Sequence, residues 1–584
     1  MTQPLRLLPA LVLALGFAVV SGSAGGAALR NVGYTSLAGS FLAGKQAMSD
    51  LRTGDAARYF HDASLADWND PTLIEHAFVA MAADGQIAQA ATLARRLLEL
   101  QPGNELARLV IAAEAVKQRR YEAAADELDF AEVETFAGIT GGILRAWALV
   151  GDRKLAQAYA VLDAIALDGL GDFLVFHRAL MADLAGDSAA ALDYVARAHE
   201  VDPLVARIVE AYARMLGNAG RFDEATEVIA AFRAEGLSHP LVDVAAAAIA
   251  DKRRPGPFIA SVQSGAAEMF NGIGVAVARD GDVDLALVFL QLGLYLDPGA
   301  DVIALVIGQV LDANGRHEAA NALYDRIAAN SPMKPAAVVR IAENLDAVGN
   351  REEALRRLRN MVQANPGDLD ALSVLGDLLR TDKRYREAAE IYTRAIDAIP
   401  GDTPGDWRFY YVRGIAYERD KQWPSAEADF LRALELRPNQ PQVLNYLGYS
   451  WVDQGSNLQP AMAMIQKAVA AAPNDGYIID SLGWAHYRLG NFGDAVDALE
   501  RAVQLRPDDP EINDHLGDAY WRAGRRLEAR FQWTIAADVD EEGNVRERVA
   551  PKLAGGLDAA PPAEDSARPA GQPEPDAGSE APAQ

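Results

Sequence analysis

The chain has 584 residues, no cysteine, and 82 Asp plus Glu against 55 Lys plus Arg, a formal charge of −27. The missing cysteines exclude disulfides, thiolate metal sites and a lipid-bearing cysteine. The acidic balance opposes a phosphate-tracking surface, so nucleic acid is not an expected partner.

Met1 to Arg6 is a charged start, Leu7 to Val20 is apolar, and Ser21 to Ala28 is small. That order is a secretory signal peptide over residues 1–28, cleaved between Gly22 and Ala28. The apolar run of about 14 residues is short of the roughly 20 that span a bilayer; the other reading is an uncleaved anchor. Export to the periplasm as a soluble protein is the expectation.

A spaced pattern then returns about every 34 residues. Its clearest copies read Gly308, Ala320, Tyr324, Ile327, Pro332 and Gly376, Ala388, Tyr392, Ala395, Pro400, with steps of 12, 4, 3 and 5. Later copies open at Gly414, Gly448, Gly483 and Gly517, and weaker ones open at Gly44, Phe78, Ala112, Ala146, Ala179 and Ala213. The second anchor is Ala in all fourteen copies. Apolar residues three and four apart mark one stripe of each helix in a hairpin, and small anchors let the two helices approach. Gly85, Gly186, Gly220, Gly281, Gly315, Gly349, Gly455, Gly490 and Gly524 close the first helices, where a left-handed cap favours Gly. The expected fold is an all-α superhelical solenoid of about fourteen or fifteen antiparallel hairpins.

This period resembles the tetratricopeptide repeat over roughly residues 40 to 540. The expected organisation is a first arm at 36–236, a degenerate repeat or joint at 237–270, a second arm at 271–540, a capping helix at 541–554 and a disordered tail at 555–584. Lys252 to Pro257 interrupts the phase with two prolines and a basic cluster, reading as a joint or as a lengthened loop in one superhelix. The tail has almost no bulky apolar residue and cannot offset its ordering entropy by burial.

No catalytic constellation survives inspection. His317-Glu318 lacks the second His of a zinc-protease helix, no phosphate loop or Gly-x-Ser-x-Gly elbow occurs, and Asp538 to Gly543 starts a calcium-like loop whose bidentate Glu position is Val549. No enzyme, cofactor, metal or small-molecule substrate is therefore expected.

What stands out is the inner face of the last units. Residues flanking the small anchor there combine aromatic rings with polar groups: Tyr411, Glu418 and Arg419; Asn445, Tyr449 and Asp453; Asp480, Trp484, Tyr487 and Arg488; Asp514, Asp518, Trp521 and Arg522. Such sets suit protein recognition, because large rings contribute contact area with few rotors to freeze. Trp451, Tyr520 and Trp533 occupy anchor positions and are expected in the core. The Lys/Asn clamp by which related repeats hold a chaperone carboxylate is absent. Residues 444–451, 480–484 and 513–521 resemble exported proteobacterial repeat proteins, among them lipoprotein adaptors of a carboxyl-terminal processing protease. This resemblance implies a periplasmic scaffold or adaptor for envelope proteins, such as a protease or an assembly complex. The rival expectation is a repeat subunit of a polysaccharide-assembly or secretion enzyme complex.

Overall fold

The computed structural model describes residues 36–129, 136–165, 171–399, 401, 403–541 and 543–557. The expected signal peptide and nearly all of the expected tail lie outside the described residues. Among the described residues there are thirty α-helices and no strand. Six hairpins come first: α1 (Leu37–Ser49) with α2 (Thr53–Ala66), α3 (Pro71–Ala83) with α4 (Ile87–Leu100), α5 (Glu105–Lys117) with α6 (Tyr121–Glu127), α7 (Phe136–Gly151) with α8 (Leu155–Ala164), α9 (Gly171–Ala185) with α10 (Ser188–Val201), and α11 (Ala206–Asn218) with α12 (Phe222–Ala234). A single α13 (Pro240–Ala250) precedes the hairpin of α14 (Val262–Arg279) and α15 (Val283–Leu296). Seven more hairpins follow: α16 (Asp301–Ala313) with α17 (His317–Arg326), α18 (Lys334–Ala347) with α19 (Arg351–Ala364), α20 (Leu369–Thr381) with α21 (Tyr385–Ala398), α22 (Trp407–Arg419) with α23 (Trp423–Leu436), α24 (Pro441–Asp453) with α25 (Leu458–Ala471), α26 (Gly476–Arg488) with α27 (Phe492–Leu505), and α28 (Pro510–Arg522) with α29 (Arg526–Val539). The last helix is α30 (Asn544–Gly555). The chain is an all-α superhelical solenoid of stacked antiparallel hairpins.

Local chemistry sets the helix ends. Asp368, Asp475 and Asp509 accept the backbone N–H of Ala371, Tyr477 and Ile512 at 3.0, 2.9 and 3.0 Å, satisfying donors that the first turn leaves free. The exit turns of the first helices adopt positive φ, as at Gly349 (80°) and Gly490 (80°).

Each hairpin closes by matching volumes. All fourteen second-anchor alanines, from Ala56 to Ala529, are at most 1% exposed. The opening residue of a unit faces the side chain sixteen or seventeen positions later, and in most units the two sizes are reciprocal; Gly274, Gly448 and Gly483 instead lie under the aliphatic Leu290, Ile465 and Leu499. Gly44, Gly308, Gly376, Gly414 and Gly517 lie under Phe60, Tyr324, Tyr392, Phe430 and Trp533, where an added Cβ would come within 2.2 to 2.7 Å of the ring. Units that open with Ala place a smaller Leu, Ile or Val there, as in Ala342 with Leu358 and Ala213 with Ile229. The unit that opens with Phe78 has Ala94. Close-packed interiors tolerate neither overlap nor a void, which accounts for the exchange.

The break in phase has a structural result. The stretch after α13 lies against α11: Arg214 donates to the Pro255 carbonyl at 2.8 Å, and Asn218 exchanges hydrogen bonds with Gly256 at 3.0 and 3.1 Å. The next hairpin turns back onto the earlier units. α15 packs on α3 and α5, and α14 packs on α5, α7 and α9, so the pair lies in the groove those alternate helices line. Gly265 and Gly272 permit the approach, since a Cβ at either would meet the Trp147 ring at 2.3 Å or the Phe173 ring at 2.6 Å. Gln263 donates to the Val116 carbonyl at 2.9 Å, and Lys117 donates to the Leu296 carbonyl at 3.0 Å. Arg207 of α11 holds Glu268 of α14 with two bonds of 2.9 and 2.6 Å and reaches Glu210 at 2.6 Å. One hydrophobic core consequently joins residues from Ala47 to Ile341, while most of the apolar side chains of α11 to α13 form a cluster of their own.

Candidate functional site

With the N-terminal groove filled by the chain itself, the inner face of α22, α24, α26 and α28 carries the thirteen candidate residues and Glu418. Seven of the thirteen are sunk between neighbouring units: Tyr411, Asn445, Tyr449, Asp480, Trp484, Asp514 and Asp518 are each at most 6% exposed. The other six, Arg419, Asp453, Tyr487, Arg488, Trp521 and Arg522, are partly or fully exposed. The division has a packing cause: inner positions of one first helix are covered by the first helix of the next unit, leaving the helix ends open to solvent.

At the start of this row Tyr411 packs among Trp407, Phe430 and Tyr446, with centroids 5.8, 6.1 and 6.0 Å away. Its hydroxyl meets no hydrogen-bond partner, and burial raises its pKa. The Tyr446 hydroxyl donates to Glu418 at 3.2 Å, and Arg419 stands 3.5 Å from the same carboxylate. Burial lifts Glu418 above the usual carboxylate range against the pull of Arg419. Asn445 is fully buried, with neither amide atom partnered.

One unit further, Arg488 bonds the Asp453 carboxylate at 2.7 Å and its carbonyl at 2.8 Å, fastening α26 to α24 at the exposed edge. Trp484 stacks on Tyr487 (4.7 Å) and on His515 of the following unit (4.1 Å). His515 in turn contacts the Asp480 carboxylate at 3.0 and 3.1 Å. Burial pushes the imidazole down, but Asp480 outweighs it and holds His515 above its ordinary value. Sequence reasoning missed His515; its only signal is its place beside Asp514.

The end of the row is closed by α30. Lys552 donates to Asp514 at 2.6 Å and to both oxygens of Asp518 at 2.8 and 2.9 Å. Arg548 bonds Asp514 at 2.9 Å and Glu511 at 3.1 Å. The Trp533 indole donates to Asp518 at 2.9 Å. Burial and the neighbouring Asp514 push Asp518 up to about 6, whereas Lys552 and Arg548 hold Asp514 below the carboxylate range despite its burial. Trp521 leans on Trp533 at 5.5 Å, with Arg526 5.0 Å from its ring. Arg522 lies beside Tyr487 at the open edge. The two cations of α30 were also missed, although their four-residue spacing matches an acidic helix face.

A family model described as tetratricopeptide repeat matches residues 339–403, 402–441 and 411–476, and one described as TPR repeat matches residues 483–524. These segments carry tetratricopeptide repeats. Among curated relatives, a TPR repeat-containing protein of Pseudomonas aeruginosa is 27% identical over 172 residues, which is 30% of this chain and 28% of that protein. The protein O-mannosyl-transferase TMTC1 of Homo sapiens is 26% identical over 202 residues, 35% of this chain and 23% of that one. The chain thus spans less than a third of the length of these relatives. A solved structure of the APC/C hetero-tetramer Cut9–Hcn1 covers 88% of this chain and 95% of its own, at 15% identity and a TM-score of 0.37. Among the described residues no helix is long and apolar enough to cross a membrane.

Proposed function

We propose that this protein is a non-catalytic scaffold of the cell envelope, exported to the periplasm, which binds partner proteins on the inner face of its C-terminal units and assists their processing or assembly. The observation that carries this reading is the unequal state of the two inner faces. α14 and α15 fill the N-terminal groove, while Arg419, Asp453, Tyr487, Arg488, Trp521 and Arg522 border the C-terminal one. Aromatic and Arg side chains at a groove edge are the types that dominate protein interfaces. Export is supported by the order of charged, apolar and small residues before Leu29.

Affinity capture from an envelope fraction tests the reading, comparing the native chain with a Tyr487→Ala/Arg522→Ala variant. Loss of captured proteins at unchanged helical content supports it; an unchanged set rejects the site. Sequencing the mature N-terminus tests export, for which a start between Ser23 and Leu29 is expected.

A further inference from the structure

The end of the C-terminal inner face is built to receive a cation-bearing helix. On α28, Glu511, Asp514 and Asp518 are spaced three and four apart, which puts three carboxylates on one helical face. Asp514 and Asp518 are 2% and 6% exposed. Two carboxylates this close and this buried are costly unless cations meet them. The cations come from a different helix: Arg548 and Lys552, one turn apart on α30, cover the row, and the Lys552 ammonium touches both aspartates. A Cβ at Gly556 would come within 2.1 Å of Trp521, so the end of α30 passes tightly over that ring.

A second feature borders the row. The Trp484 ring stacks on His515, the neighbour of Asp514, and its indole N–H, 94% buried with its residue, has no acceptor. That donor is one hydrogen bond short of satisfaction, a deficit that an incoming carbonyl or side-chain oxygen would remove.

We propose that the acidic row Glu511, Asp514 and Asp518 is a docking site for a helical segment of a partner protein bearing Arg or Lys at positions i and i+4, and that α30 is the chain's own occupant of that site. This rests on the protein-binding reading above and names the class of segment bound. α30 supplies the argument for the occupant: its two cations meet the row at hydrogen-bond distance, and a competing helix of the same pattern would make the same bonds. A protein segment that carries these charges displaces α30 and takes its place.

The test uses a fluorescein-labelled peptide of residues 543–556 and a control peptide with Glu at 548 and 552, titrated into the full-length chain. An Arg548→Glu/Lys552→Glu chain, whose own helix is repelled from the row, is expected to bind the first peptide at least tenfold tighter than the native chain. It should ignore the control. Adding Asp514→Asn and Asp518→Asn to that chain should abolish the gain. Arg548→Gln/Lys552→Gln serves as a milder opened form, and circular dichroism checks helical content in each. In the native chain, saturating peptide should speed amide exchange across residues 544–555 as α30 is displaced. Equal affinity of native and opened chains, a gain that survives Asp514→Asn/Asp518→Asn, or unchanged exchange in the native chain would overturn the proposal. Envelope capture that depends on Tyr487 and Arg522 but is indifferent to the opened variants would sink this inference and leave the scaffold reading standing. Peptide binding without envelope capture would do the reverse.

Discussion

Gly376→Ala should destabilise its hairpin although Gly→Ala in a helix ordinarily stabilises. The new Cβ would lie 2.4 Å from Cε1 of Tyr392 and 2.7 Å from its Cζ. The ring has little room to retreat, being fully buried with its hydroxyl tied to Asp377 at 2.7 Å. Overpacking of this kind costs about 1–3 kcal/mol, and the helix propensity gained returns about 1 kcal/mol, leaving a net loss of up to about 2 kcal/mol. Tyr392→Leu alone should also destabilise, by removing ring volume and the bond to Asp377. The double variant recreates the Ala342 with Leu358 pairing found one unit earlier. It should be more stable than the sum of the singles by about 1–2 kcal/mol. Because solenoid stability is carried by units and their neighbours, the assay is amide hydrogen exchange across residues 369–398, read as local opening free energy. Slower exchange in Gly376→Ala, or strict additivity in the double variant, would refute the volume-matching argument.

Two further predictions concern the seat of α14. His177 is fully buried, neither ring nitrogen has a hydrogen-bond partner, and burial pushes its pKa down to about 4, opposed weakly by Glu268. A depressed folded pKa means that the unfolded chain takes up the proton first. The associated stability is therefore fully present above about pH 6.5 and lost as pH falls through about 4, with a span of about 3 kcal/mol. His177→Leu should remove that acid sensitivity in urea melts between pH 7 and pH 4; parallel curves for the two proteins would contradict it. Glu268→Leu leaves the Arg207 guanidinium with Glu210 and the Phe258 ring and should cost about 2–3 kcal/mol. Exchange across residues 262–279 should accelerate, and Arg207→Leu in the same chain should restore part of the protection.

The repeat architecture was legible because it is written in small residues: alanines 12 positions after each opening anchor, 13 in the unit from Gly448 to Ala461, all reach the interior. Positive φ at Gly85, Gly349 and Gly490 was equally legible, since only a residue without Cβ adopts that turn cheaply. The course of α14 and α15 was not. Gly274, Ala286 and Leu290 keep the phase of the later units, and a period describes how a hairpin closes on itself without saying which earlier surface it will face. Gly265 and Gly272 were the residues that could have hinted at a close approach. On the inner face, residue types were readable but exposure was not. Trp484 and Asp480 are covered by His515 from the next unit, and Asp514 and Asp518 by Lys552, contacts 31 to 38 positions apart that depend on the stagger between units.

The chain's own α14 and α15 fill the N-terminal groove, which leaves the C-terminal face for partners. Lys252 and Arg253 are exposed on the non-helical approach to that hairpin and offer a place to cut, whereas Pro255 protects the bond after Arg254. Brief trypsin treatment of the native protein followed by size-exclusion chromatography is the most direct measurement. If the hairpin is seated as described, the fragment ending at Lys252 or Arg253 and the fragment that follows it remain one particle after the nick and part only in denaturant. Separation of the two fragments in native buffer would contradict it.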